Sequence, residues 1–222
     1  MALSLRAALQ CKGLPANGSV IHDLFGYPIQ ASQVLSLRRQ LELLDGKHYD
    51  VNVIRVGAES FTFDDNRKIC FALQFARDVF EQVNFGIGKT EWYQVSNAEA
   101  GSKAVIDSDS EASDLTGDWT VPNGALDLFV VRTMNDADGW SAVEGSCDKD
   151  SKGMTGSVVS LNGSDSNAGN TFAHEMGHYL GLDHVAAAGN FIGNNGSSNS
   201  NTAVTNAQGN EMKKHCFVSS GC

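Results

Sequence analysis

The segment His174-Glu175-Met176-Gly177-His178-Tyr179-Leu180-Gly181-Leu182-Asp183-His184 constrains this chain more than any other stretch. His174 and His178 are four residues apart, which on a helix sets both imidazoles on one face, one turn apart. Gly181 follows three residues after His178. A glycine there can end the helix in a left-handed conformation at no steric cost. The chain then turns, and His184 can swing back toward the pair. The fold must therefore supply a helix, a stop and a return within these few residues.

Three neutral ring nitrogens suit one tetrahedral ion and leave its fourth position open, the pattern of a catalytic rather than a structural zinc site. A zinc ion (Zn2+) held by His174, His178 and His184 would lower the pKa of a water toward about 7 and polarise a carbonyl. Glu175 is poorly placed as a third ligand but can reach that water. It would act as general base and pass the proton to a leaving amine. The expected function is a zinc-dependent endopeptidase acting on peptides or proteins. The alternative is a latent or non-catalytic module that keeps the scaffold for binding.

Composition narrows the partners. A net charge of −10, from 16 basic and 26 acidic residues, argues against nucleic acid, whose phosphates need a basic surface. No run approaches the roughly 18 apolar residues of a membrane span. Met1 to Gln10 is broken by Ser4 and Arg6 and lacks the apolar stretch of a secretory signal. The cysteines are Cys11, Cys70, Cys147, Cys216 and Cys222, with no CxxC pair. A cysteine zinc site is not expected. Two disulfides and one thiol would suit an oxidising compartment. The expectation is a secreted, monomeric protein whose signal is not part of this chain, with connectivity open. Buried thiols in a cytosolic protein are the other reading.

Periodicity divides the chain at about residue 46. In residues 1–46, Ser32 can cap a helix to about Leu44, and Asp45-Gly46 reads as its stop. Tyr49 to Val56 alternates as a strand. Asp64 or Asp65 can cap a long helix to about Val83, with Ile69, Phe71, Ala72, Phe75, Ala76, Val79 and Phe80 as its apolar stripe. Trp92–Val95, Ala104–Ile106, Leu126–Val131, Trp140–Val143 and Ser157–Leu161 are strand candidates. The motif helix is expected from about Asn167 to Leu180. Thr205 and Gln208 form a capping box for a last helix, Asn206 to about His215.

His174, Glu175, His178, Gly181 and His184 match HExxHxxGxxH at every defined position, and on these residues the chain resembles the metzincin clan of zinc peptidases. The resemblance covers about residues 47–222. It implies an α+β (mixed α/β) catalytic domain, with a twisted, mostly parallel sheet, two long helices and a small C-terminal helical subdomain. Residues 1–46 fall outside it and stand as a pro-segment or accessory helix. Metzincins carry a methionine in a tight turn beneath the zinc. Here Ile192, in Asn190-Phe191-Ile192-Gly193, stands at that distance, while Met212 falls within the last helix; Ile192 is favoured. Val185, after the third histidine, is not the Glu, Pro, Asp or Ser of astacins, serralysins, adamalysins or matrixins, so no subfamily is assigned. No tyrosine follows in the Ile192 turn, which argues against an astacin-like zinc-bound Tyr.

Other features are weaker. In the metzincin arrangement Trp140–Val143 is the cleft-edge strand to which an extended substrate adds; an ordinary edge strand is the alternative. Asp107, Asp109, Glu111, Asp114 and Asp118 offer oxygen ligands for calcium (Ca2+) in a loop, although a solvated acidic loop is favoured. Asp136-Ala137-Asp138-Gly139 reads as a turn. Cys11 could hold a pro-segment on the zinc, against the favoured readings of a disulfide or buried thiol. His22, His48 and His215 read as surface or packing residues.

Overall fold

The computed structural model describes residues 46–151, 153–194 and 200–220. The expectations for the segment before Gly46, including its helix, His22 and Cys11, lie outside these residues, as does Cys222. The element order is β1 (Lys47–Val56), α1 (Phe63–Glu81), β2 (Gly86–Val95), α2 (Asn97–Ala100), β3 (Val105–Ile106), α3 (Asp109–Asp118) and β4 (Leu126–Val131). It continues with β5 (Thr133–Met134), β6 (Gly139–Trp140), β7 (Ser157–Ser160), α4 (Asp165–Tyr179), α5 (Asn206–Met212) and β8 (Val218–Ser220).

The main sheet has the order β2-β1-β4-β7-β6. The first four strands are parallel and β6 is antiparallel to β7. The mixed α/β class and the mostly parallel sheet agree with the expectation. The sheet is covered on both faces, which explains why β4 is apolar at every position except Asp127. Leu126, Leu128 and Val130 join one core with Val51, Val53 and the helices α1 and α4. Phe129 and Val131 join the other with Ile54, Val56 and the α3 residues Ala112 and Leu115. The two long helices pack together on the first face. There Gly169 of α4 makes room for Phe75 of α1: a Cβ at Gly169 would lie 2.6 Å from that ring.

Several boundaries move, each for a local reason. Thr62, not Asp64 or Asp65, caps α1. Its hydroxyl accepts from Asp65 N, and Asp65 answers by accepting from Thr62 N at 2.8 Å. Phe71 leaves the expected stripe and is exposed. The acidic stretch expected as a loop is mainly the helix α3, capped by Ser108, with Asp109 and Glu111 in the first turn where the helix dipole favours them. A helix points these carboxylates in different directions. They are not among the groups of side chains that converge on one point in the described residues. The strand expected over Trp140–Val143 is only Gly139–Trp140. The chain leaves the sheet because the N–H groups of Glu144 and Gly145 donate to the His178 and Tyr179 carbonyls, at 3.0 and 2.8 Å, closing the end of α4. The last helix ends at Met212, and the chain returns as β8 to pair with Lys47–Tyr49 of β1.

The loop after β6 is fastened twice. Cys147 is bonded to Cys216, closing a separation of 69 residues. Lys149 reaches the fully buried Asp127 at 2.8 Å and lies over the Phe217 ring. Asp127 also accepts from Asn52, Thr120 and Val121 N, so its buried carboxylate is well supplied with donors besides the ion pair. His215 is a buried packing residue, as expected, with Nε2 donating to Gly145 O at 2.9 Å. Releasing a loop this long from a cross-link should cost about 2–4 kcal/mol. Replacing Cys147 and Cys216 together by serine should lower the melting temperature by roughly 5–15 °C. Thermal unfolding followed by circular dichroism measures this, and an unchanged midpoint would exclude the stabilising role. Among the described residues no helix is long and apolar enough to cross a membrane.

Candidate metal centre

Helix α4 begins at the Ser164 cap and is buried from Ala168 onward. His174 and His178 project from one side of it, ring centroids 4.7 Å apart. The helix then stops. Gly181 takes φ 103°, its N–H donates to His178 O, and Leu182 N donates to Gly177 O at 3.0 Å. This is a Schellman ending, and its left-handed residue is the one the sequence supplies as glycine. The reversal does two things. It carries His184 back over the helix, and it turns the Leu182 carbonyl onto His178 Nδ1 at 2.7 Å.

The three Nε2 atoms converge. His174 lies 2.9 Å from His184, and His178 lies 3.1 Å from each of the other two. His174 Nδ1 meets the Phe191 carbonyl at 3.0 Å. A carbonyl only accepts, so His174 and His178 carry their protons on Nδ1 and present bare Nε2 lone pairs. Burial, aided by the His178 ring, pushes the His174 pKa down to about 4. Burial lowers His178 in the same way. Both rings are therefore neutral. Two bare lone pairs 3.1 Å apart repel unless a cation lies between them. A tetrahedral ion with bonds of ~2.0–2.1 Å holds its nitrogen ligands about 3.3 Å apart, close to the spacing here. The donor set fits zinc, and the orienting carbonyls are of the kind metal-ligating histidines use. His184 is exposed, so the cluster opens to solvent on that side.

The floor is the turn Asn190–Gly193. Gly193 N donates to Asn190 O at 3.1 Å, and Ile192 N to Asn190 Oδ1 at 3.1 Å. Phe191 and Ile192 are fully buried against Gly177, where a Cβ would meet Phe191 at 2.7 Å. Ile192 thus occupies the tight turn, and Met212 is a core residue of α5. Asn190 also exchanges hydrogen bonds with Gln208, the capping-box residue of α5, so the last helix braces the floor. Val185 N donates to Ile192 O, tying the chain after His184 to the same turn.

Glu175 is buried beside the cluster and lies against Gly139 of β6. Burial first, then the charge of Asp138, push its carboxyl up to about 8. The Ser157 hydroxyl donates to Glu175 O at 3.2 Å and in turn meets Ser141 Oγ at 2.9 Å. The structure thus brings the three histidines of the motif together and buries Glu175, next to His174 in the chain, against Gly139. Sequence reasoning missed Gly139, Ser157 and the orienting carbonyls of Leu182 and Phe191. The carbonyls leave no mark in a sequence, since every residue has one.

The profile of metallo-peptidase family M12B, reprolysin-like, matches residues 66–185, more than half of the chain and inclusive of all four residues. The chain belongs to this family. The metzincin-type resemblance read from the motif is thereby shown. Among solved structures, the chain is similar to metalloproteinase-II from Bacteroides fragilis, at 15% identity and a TM-score of 0.57, covering 77% of this chain and 54% of that one. It is also similar to a chain in a chaperone-substrate complex, at 11% identity and a TM-score of 0.54, covering 89% of this chain and 37% of that one. At such identities the likeness speaks for the fold alone. The chain spans about half the length of the first structure and little more than a third of the second. No curated protein matches it significantly.

Proposed function

We propose that this reprolysin-like chain is a zinc-dependent endopeptidase with His174, His178 and His184 as the metal ligands and Glu175 as the general base. The observation that carries the reading is the meeting of three Nε2 atoms, two of them fixed as bare lone pairs by backbone carbonyls, with the buried Glu175 next after His174 on the same helix. Bound there, zinc supplies a Lewis acid that acidifies a water and polarises a carbonyl. Glu175 takes the proton of the attacking water and delivers it to the leaving amine. Its burial suits it to hold that proton between the two steps. No strand among the described residues pairs with the outer edge of β6. An extended peptide adding there would run past Glu175, which favours cleavage within a chain.

Residues 47–222 would form the catalytic domain and residues 1–46 an N-terminal segment. The Cys147–Cys216 bond supports an oxidising, extracellular setting. The deciding experiment incubates the protein with an unfolded protein mixture, with and without a zinc chelator. Internal cleavage that the chelator abolishes and added zinc restores is expected. No cleavage with zinc bound, before and after removal of residues 1–46, would replace this reading by a binding module.

A further inference from the structure

The outer strand β6 approaches α4 where Gly139 faces Glu175. A Cβ built on Gly139 would lie 2.5 Å from Glu175 Cγ, 2.8 Å from Oε1 and 2.9 Å from Cδ. Contacts below 3.0 Å are essentially never made by real Cβ atoms, so any side chain at this position displaces the Glu175 side chain. Backbone conformation does not explain the glycine. Gly139 is absent from the positive-φ residues, and it pairs regularly with Val159 of β7. Other residues could adopt its dihedrals. What glycine provides here is space, and Glu175 fills it.

We propose that Gly139 is a positioning residue: the missing side chain forms the seat that holds the Glu175 carboxylate against the cleft-edge strand. This rests on Glu175 being the general base. The Glu175 backbone is held separately, by the Ser157 hydroxyl on its carbonyl and by burial of α4. The helix therefore cannot retreat easily from a new methyl group. The side chain must swing instead. The neighbouring Asp138 is fixed by its own bonds, with its carbonyl accepting from Ser160 N at 2.8 Å and Oδ1 from Asn162 Nδ2 at 3.3 Å. The strand thus has little freedom to yield. Three-atom contact on a flexible side chain predicts small damage to the fold and large damage to the geometry of proton transfer.

The test compares the full chain with Gly139→Ala, Glu175→Asp and the double variant. For Gly139→Ala, kcat should fall by roughly 10–100-fold, since misplacing a reacting group by about 1 Å costs this much. KM should stay within about twofold, zinc should remain at one per chain, and the melting temperature should change little. The shorter Asp carboxylate fits beside a methyl group. The double variant should therefore lose far less than the product of the two single losses. A crystal structure of metal-free Gly139→Ala should show the Glu175 carboxylate moved by more than about 1 Å. Multiplicative losses, a rise in KM alone, or an unmoved carboxylate overturns the proposal. If the unaltered protein cleaves nothing, the functional reading has failed instead, and the metal-free structure still decides whether Gly139 is the seat.

Discussion

Glu175→Gln should leave zinc bound at one per chain and lower the rate of peptide cleavage by about 10²–10⁴-fold, the usual contribution of a positioned general base. The substitution keeps shape and removes only the ability to take a proton. The three nitrogens do not depend on it: His174 and His178 are held by the Phe191 and Leu182 carbonyls, and neither contact involves Glu175. The fold should not suffer either. Burial already disfavours the charged form of this carboxyl, so a neutral amide in its place adds no desolvation cost. Zinc content by metal analysis, the melting temperature and cleavage of an internally quenched peptide separate the three effects. A variant that retains most of its activity would remove Glu175 from the mechanism. A variant that loses its zinc would show that Glu175 supports the metal site instead.

The sequence carries the ligand set because helical periodicity and one glycine are enough to fold it. A spacing of four aligns His174 with His178, and Gly181 with φ 103° makes the return to His184 possible. The place of Ile192 comes from the metzincin resemblance, which sets a turn at this distance after His184, and residues 190–193 do form a tight turn. What lay hidden depends on tertiary contact. The seat at Gly139 joins residues 36 apart, on a strand too short for its alternation to be read. The helix α3 was missed because Ala112 and Leu115 are too few to mark an apolar face, although Ser108 with Glu111 three residues on is a cap signature. Thr62 with Asp65 is another, masked by two acidic residues that are themselves good caps. The return of β8 to β1 had no signal in three residues that are half-exposed or exposed.

His178→Ala tests the other half of the site, and thermal unfolding can read it without substrate. A metal that binds only the folded protein stabilises it by RT ln(1 + [L]/Kd), about 2.7 kcal/mol when the free ion is 100-fold above Kd. For a domain of this size that is roughly 5–11 °C. The unaltered protein should therefore gain this much melting temperature between chelator and zinc, and His178→Ala should gain almost none. Loss of a partner that merely orients a ligand costs 10–100-fold in metal affinity, and loss of the ligand itself should exceed that. The comparison in chelator isolates a second effect. Without the His178 ring, the Leu182 carbonyl loses its 2.7 Å donor at the helix stop. An acceptor left unsatisfied costs about 1–3 kcal/mol, so the metal-free variant should melt somewhat below the metal-free parent. An equal zinc-induced gain in both proteins would place the metal elsewhere. A gain lost in the variant, together with lost cleavage, ties the ion and the reaction to the same three histidines.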